Sequence, residues 1–320
     1  MSFTRLDDLV RQAETSNTSI ARLMIAVECR QSGLSEAQVI QRMAGQFDIM
    51  EQAVRRGIAK PVRSRTGLTG GDAYRVHRYL TQANTFVGSE PLRAMAYALA
   101  VSEVNAAMGR IVATPTAGAA GILPGVLVSA LDSGRYHRDD LVFALFTAAA
   151  LGLVIANSAS ISGAAGGCQA EVGSATAMAA GALVELAGGT PSMVSHAAAL
   201  ALQNSLGLVC DPVAGLVEVP CVVRNGLHAI TAMAASDMAL AGVQSVIPPD
   251  EVVAAMRQIG NDLPVSLRET GIGGLAGTPT GRLLKAKVFG EEELIPEGTP
   301  PCRTSASMPA GRAEEAGAER

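Results

Sequence analysis

Lysine is nearly absent from this 320-residue chain, which has only three lysines among its 25 basic residues. A pyridoxal-phosphate enzyme needs a lysine in a defined site to form its Schiff base. Lys60 lies in a basic run, whereas Lys285 and Lys287 lie near the C-terminus. The sequence therefore disfavours pyridoxal chemistry.

Aromatic and strongly basic segments are also scarce. Aromatic residues make up 3% of the chain, tryptophan is missing, and the formal net charge is −4. Because no basic stripe or aromatic platform is present, we expect no nucleic-acid binding. The N-terminus has no apolar signal-peptide core. The apolar run over residues 141–156 is short for a bilayer crossing and predicts a central helix buried on all sides. We therefore expect a cytoplasmic protein without a membrane-bound part.

Small apolar residues dominate the composition and favour helices. Hydrophobic residues make up 48% of the chain, mainly Ala, Val and Leu, and few β-branched runs alternate with polar residues. The sequence predicts a mostly α fold, in which helices pack closely through small side chains. We expect a compact catalytic domain over residues 1–290, with glycine-rich loops around a cluster site. Residues 291–320, rich in Pro, Gly, Ser and Glu, are predicted to be a disordered tail.

Several local patterns predict helix starts. Ser35 followed by Gln38 matches a capping box. Thr114, Thr190 and Thr278 each precede a proline, and Thr as the N-cap with Pro at the first helical position is a strong start signal. At the first of these sites, two nearby glycines would leave backbone N–H groups exposed at a positive helix end. That arrangement would suit a substrate carboxylate.

Five cysteines are too few for a disulfide scaffold, yet three of them lie in unusual surroundings. Cys168, Cys210 and Cys221 each lie beside Gly or Pro, where the chain turns. Their separations of 42 and 11 residues match neither a zinc knuckle nor a Cys-x-x-Cys redox pair. Three thiolates suit an iron–sulfur cluster with one iron open to substrate. Cys29, on a predicted helix, is interpreted as a buried small hydrophobe.

Longer motifs around these cysteines carry a family resemblance. They cover residues 66–72, 103–109, 113–118, 160–173 and 207–221. In these motifs the chain resembles the alpha subunit of bacterial iron–sulfur-dependent L-serine dehydratases, and the resemblance extends from near the N-terminus to about Gly290. It implies a 4Fe–4S cluster held by Cys168, Cys210 and Cys221. It also implies a lyase that converts L-serine to pyruvate and ammonia, in amino-acid catabolism and gluconeogenesis.

The resemblance also suggests how the site divides its roles. An iron without a protein ligand would bind the serine hydroxyl as a Lewis acid while a base takes the α-proton. Thr114 and Thr116 are the first candidates for the substrate carboxylate, and Arg224 is the second because guanidinium groups bind carboxylates bidentately. The neighbouring Asn225 completes the candidate catalytic set. None of the four scattered histidines is an obvious general base.

Two departures from the family pattern concern partners. Single-chain members carry an N-terminal beta domain with a Ser-Ser-Ser-His-Thr motif that supplies a site histidine. Here Ser195-His196 stands alone in a predicted helix. We therefore expect a separate beta subunit to complete the site in a hetero-oligomer. Single-chain members can also place a C-terminal cysteine on the cluster, but Cys302 is interpreted as a free thiol on the tail.

Two alternative functions remain open at this point. One is a related cluster-dependent dehydratase that acts on L-threonine or another hydroxy acid, which the shape of the pocket would decide. The other is a non-catalytic helical assembly protein with structural cysteines, which predicts no bound iron. The glycines that flank the cysteines argue against the second, because glycine is destabilising unless the backbone needs special geometry.

Overall fold

Helices make up almost all of the regular structure. The computed structural model describes residues 3–82 and 85–290, and in this part of the chain there are thirteen α-helices and no β-strand. The predicted mostly α fold is confirmed. The predicted tail, 291–320, lies outside the described residues. The helices are α1 (Leu6–Thr15), α2 (Ile20–Ser32), α3 (Glu36–Ala59), α4 (Asp72–Tyr79), α5 (Ser89–Ala106), α6 (Ile122–Asp132), α7 (Arg138–Ser158), α8 (Gly163–Gly166), α9 (Ser174–Leu186), α10 (Pro191–Gln203), α11 (Cys221–Leu240), α12 (Pro249–Asp262) and α13 (Pro279–Phe289).

Small residues set the spacing of the core helices. Helix α9 packs against α7, α10 and α11, and α5 packs against α3, α4, α6 and α11. A Cβ atom added at Gly57 of α3 would lie 2.5 Å from the Cβ of Ala100 in α5. The backbones of these two helices therefore approach closely because glycine and alanine meet where they cross.

Helix α7 is a long, apolar helix in the middle of the chain. Its length and composition would allow it to cross a membrane, but 67% of its most apolar window is buried inside the protein. Leu141, Leu151 and Ile155 are among its fully buried side chains. This burial fits a core helix that is surrounded by other parts of the protein.

Three predicted helix starts are present where the capping hydrogen bonds involve only neighbouring residues. The capping box of Ser35 and Gln38 begins α3. Thr190 and Thr278 accept hydrogen bonds from the third residue of α10 and α13, and a proline follows each of them. These three predicted helix starts are confirmed. The sequence was sufficient here because all the groups of each cap lie within one helical turn.

The helix start predicted at Thr114 is wrong. The Thr114–Pro115 peptide is cis, only a short 3₁₀ turn follows at Ala117–Ala119, and α6 begins at Ile122. The carbonyl of Gly118 and the N–H of Gly121 bond to a side chain of α11. Since these groups are bound by a distant helix, they are not available to extend a helix from Pro115.

Helix α11 begins earlier than the sequence predicts. The small residues of the segment 227–243 predict a helix there, but α11 starts six residues earlier, at Cys221. A Cβ atom at Gly226 would lie 2.9 Å from Leu99 of α5. Close packing against α5 therefore stabilises the N-terminal part of a helix that includes Gly226, although glycine is a poor helix former.

Candidate active site

Three separate segments bring the three cysteines together. Cys168 directly precedes a π-helical turn, Gln169–Gly173, and Cys221 is the first residue of α11. Cys210 lies in a loop whose backbone pairs with Arg268. The cysteines are free thiols, and their exposed fractions are 2%, 9% and 3% for Cys168, Cys221 and Cys210. Residues far apart in sequence thus form one buried, thiol-rich site.

The thiols influence one another's ionisation. A hydrogen bond with the Cys210 thiol lowers the pKa of Cys168 against the effect of burial, and the Arg224 guanidinium lowers it further. The same thiol–thiol bond and burial raise the pKa of Cys210 above its ordinary value. Burial raises the pKa of Cys221 to about 12. Ligation of a metal by all three thiolates must therefore release protons.

Gln169 holds two of the cysteine segments in place. Its side chain is fully buried, and its Nε2 atom donates to the carbonyls of Gly166 (2.9 Å) and Met256 (3.0 Å). Its side-chain oxygen accepts from the N–H of Gly207 at 2.9 Å. The sequence analysis missed this residue, although its place beside Cys168 in the glycine-rich motif is a usable signal.

Gly163 leaves space beside the thiols. A Cβ atom there would lie 2.8 Å from Oε2 of Glu171 and 3.0 Å from Sγ of Cys210. A larger residue would push against both groups. The glycine-rich segment thus keeps the backbone close to the site and free of side-chain bulk.

Arg224 reaches the site, but its guanidinium is already engaged. Its Nη1 donates to the carbonyl of Val209 at 2.8 Å, and its Nη2 donates to Oδ1 of Asp211 at 3.0 Å. The other carboxylate oxygen of Asp211 accepts from the N–H of Leu275 at 2.8 Å. The Arg224–Asp211 pair therefore ties the loop of Cys210 to α11.

Asn225 connects α11 to the loop before α6. The residue is fully buried, and its Nδ2 donates to the carbonyls of Gly118 (2.7 Å) and Cys221 (2.8 Å). Its Oδ1 accepts from the N–H of Gly121 at 2.9 Å. All the polar atoms of this side chain are therefore bonded to backbone groups.

Thr114 and Thr116 have buried hydroxyl groups that form no hydrogen bond with the described residues. The hydroxyl of Thr116 lies close enough to the Glu171 carboxylate to lower its pKa, although the two groups do not meet hydrogen-bond geometry. An unpaired buried hydroxyl destabilises a protein. Both groups are therefore suited to a partner that the chain itself does not supply.

Two carboxylates that the sequence analysis did not select lie beside the thiols. Oxygens of Glu171 and Glu269 and Sγ of Cys210 all lie within 4.8 Å of one another, and within the described chain no other three candidate metal-ligand atoms lie this close together. Burial raises the pKa of Glu171, and the charge of Glu269 adds to this effect. Glu171 follows Cys168 in the motif, but no local signal indicates Glu269.

The other motif segments fold around the same region through two further carboxylates. Glu218, close to Cys221 in sequence, accepts hydrogen bonds from Thr66 (2.8 Å) and Thr69 (3.0 Å). Glu103, fully buried in α5, accepts from the N–H of Asp72 at 2.6 Å, at the start of α4. Each of these carboxylates is thus bonded to hydroxyl or N–H donors.

The histidines lie elsewhere in the described chain. His77 contacts Tyr97, and His137 is at the N-terminus of α7. His196 accepts from the N–H of Ser245, and Nδ1 of His228 bonds to the carbonyl of Arg224. None of these contacts involves the three thiols. Cys302, the remaining sequence candidate, lies outside the described residues.

Three buried thiols, an adjacent carboxylate and unpaired hydroxyls in a helical domain form the kind of site that could hold a metal group. Comparison with known families is more specific. The chain belongs to the serine dehydratase alpha chain family, whose model matches residues 15–276.

Curated relatives support this assignment along most of the chain. The chain is 52% identical to a probable L-serine dehydratase alpha chain of Bacillus subtilis, over 90% of this chain and 96% of the relative. It is 43% identical to an L-serine dehydratase alpha chain of Peptoniphilus asaccharolyticus, over 82% and 90%. It is 37% identical to L-serine dehydratase 2 of Escherichia coli, covering 84% of this chain but 60% of that longer protein.

Proposed function

We propose that this chain is the alpha subunit of an L-serine dehydratase, a lyase that converts L-serine to pyruvate and ammonia. The convergence of Cys168, Cys210 and Cys221 in a chain of the serine dehydratase alpha chain family carries the proposal. The relatives at 52% and 43% identity both carry this enzyme's name. We place the reaction in the cytoplasm, in amino-acid catabolism and gluconeogenesis.

The cofactor in this proposal is a 4Fe–4S cluster held by the three cysteines. The thiols are buried and free, they come from three separate segments, and the charge of Cys168 acts on both of the other thiols. Three thiolates can hold a cluster and leave one iron open to substrate. When bound, the cluster supplies a Lewis-acid iron for the serine hydroxyl.

The chain's own residues divide into holding and binding groups. Arg224 and Asn225 act as positioning residues, because their polar atoms tie the cysteine segments and the Gly118 loop together. The unpaired hydroxyl of Thr114 is a donor for the substrate carboxylate, and that of Thr116, close to the Glu171 carboxylate, is a further substrate-binding group. The cluster, the substrate and these hydroxyls would then share one water-poor site.

A separate beta subunit supplies the base that takes the α-proton in this proposal. The histidine contacts of the described chain do not involve the thiols. The Escherichia coli relative has further sequence beyond the region that this chain matches, since only 60% of it is covered. The active enzyme is accordingly a hetero-oligomer.

The test combines metal analysis and activity after anaerobic purification, with and without the partner subunit. We expect about four irons and four sulfides per chain, and pyruvate from L-serine only when the partner is present. Release of 2-oxobutanoate from L-threonine is assayed in parallel, because a preference for L-threonine would redefine the substrate.

Cysteine variants locate the ligands. Cys168→Ala, Cys210→Ala and Cys221→Ala should each lose most of the iron and the activity. Cys29→Ala is the matched control, because Cys29 lies in α2, in a different part of the sequence and outside the thiol cluster. A chain that stays folded, iron-free and inactive after anaerobic reconstitution with its partner would overturn the proposal.

A further inference from the structure

We propose that Glu171 binds the α-ammonium group of the substrate, with Glu269 and Thr116 completing the ammonium site. This inference rests on the proposed function and concerns how the site distinguishes an amino acid from a hydroxy acid. It is carried by the position of the Glu171 carboxylate, by its lack of an ion-pair partner, and by the unpaired hydroxyl beside it.

The backbone directs Glu171 toward the thiols. The residue lies in the π-helical turn Gln169–Gly173 that follows Cys168. π-Helical turns are rare in proteins, and many of those that occur lie at functional sites. The Glu171 carboxylate lies within 4.8 Å of Sγ of Cys210. Gly118 and Gly163 face it, since Cβ atoms there would lie 3.4 and 2.8 Å from Oε2. Space next to the carboxylate is therefore kept free of side chains on two sides.

Glu171 differs from the carboxylates of the other motif segments, although the Gly163 backbone and the Thr116 hydroxyl also lower its pKa. Glu218 and Glu103 each accept two hydrogen bonds from hydroxyl or N–H donors. Within residues 3–82 and 85–290, Glu171 forms no ion pair, and the nearby cation, Arg224, pairs with Asp211 instead. A partly buried anion without a counter-charge is costly. A positively charged group of the substrate would provide that counter-charge.

Glu269, an exposed residue at the edge of the site, adds a second negative charge from a strained backbone. Its φ angle of 61° is in the left-handed region, which a residue with a side chain adopts at a cost. Strain of this kind persists where the surrounding structure requires it and is concentrated at functional sites. Here the strained residue brings its carboxylate to within 4.8 Å of the Cys210 thiol and of the Glu171 carboxylate.

The chemistry of the three groups matches an ammonium ion. An ammonium group carries three N–H donors and no acceptor. Glu171 and Glu269 supply carboxylate oxygens, and Thr116 supplies a buried hydroxyl oxygen that has no other partner. A hydroxy acid that lacks the amino group would leave these groups unpaired, and polar sites reject such analogues strongly.

The experiment compares two ligands that differ only in the amino group: L-serine and 3-hydroxypropanoate. On the anaerobic cluster-loaded complex with its partner, the KM reports the apparent affinity for L-serine, the inhibition constant reports that for 3-hydroxypropanoate, and iron content is measured on the same samples. In Glu171→Gln we expect L-serine binding to weaken about 10- to 100-fold. Binding of 3-hydroxypropanoate should change by less than about threefold.

Matched variants separate charge from packing. Glu171→Asp keeps the charge, and we expect it to recover part of the preference for L-serine. Glu251→Gln changes an exposed carboxylate in the first turn of α12 and should leave both affinities unchanged. Equal weakening of both ligands, unchanged L-serine affinity, or loss of iron in Glu171→Gln would each overturn the proposal. Failure of the proposed function is seen separately, because the wild-type complex would then release no pyruvate from L-serine.

Discussion

Asn225→Ala should destabilise the protein and disturb the site at the same time. The side chain is fully buried and bonds to the carbonyls of Gly118 and Cys221 and to the N–H of Gly121. The Cys221 carbonyl keeps its place in the helix, so alanine would leave two backbone groups without a partner. At about 1 to 3 kcal/mol for each unsatisfied buried group, unfolding should become easier by about 2 to 6 kcal/mol.

Urea denaturation of the anaerobically purified protein measures this loss as a lower midpoint at an unchanged slope. Asn261→Ala is the matched control, because Asn261 is an exposed residue of α12 with no hydrogen bond to its side chain in the described structure, and it should change stability by less than about 0.5 kcal/mol. Iron content and pyruvate release should fall in Asn225→Ala, since the Gly118 loop and Cys221 are no longer held together. A midpoint equal to that of the control would refute the bridging role.

Two further predictions concern helix packing and acid stability. Gly57→Ala should destabilise the protein by about 1 to 3 kcal/mol, because its Cβ would lie 2.5 Å from an α5 side chain. Gly45→Ala in the same helix meets nothing within 4 Å and should stabilise by about 0.5 to 1 kcal/mol, so equal urea midpoints would contradict the reasoning. Burial alone would raise the pKa of Asp132, but hydrogen bonds from Arg55 and Tyr97 hold it below its usual range. The unfolded chain therefore binds more protons, so this stabilisation should be present above about pH 4 and be lost as the pH falls further. Asp132→Asn should flatten the pH dependence of the urea midpoint below pH 4. An unchanged pH profile would contradict the stabilising role of the Asp132 carboxylate.

Local signals in the sequence were sufficient for most of the helices. The capping box at Ser35 and the Thr-Pro starts at Thr190 and Thr278 act within one turn, so distant parts of the chain do not need to intervene. The apolar run over residues 141–156 likewise predicted the buried helix α7, because a helix without a polar face must be surrounded by protein.

Distant contacts decided the elements that the sequence analysis placed wrongly. The same Thr-Pro signal at Thr114 begins no α-helix, because Asn225 of α11 binds backbone groups of the following loop. The sequence analysis expected the chain to turn at Cys221, but this residue begins a helix whose Gly226 packs against α5. In both cases a tertiary interaction outweighs local propensity.

The sequence by itself determined that the chain is helical and that the motifs around Cys168, Cys210 and Cys221 resemble those of a known family, because these features are read from neighbouring residues. Only the tertiary structure decided that Glu171 and Glu269 lie together beside Cys210, although 98 positions separate the two carboxylates. Hydrogen bonds and charge interactions act over a few ångströms in space and are independent of separation along the chain. The arrangement of the site residues is therefore set by the packing of the helices and cannot be read from the sequence.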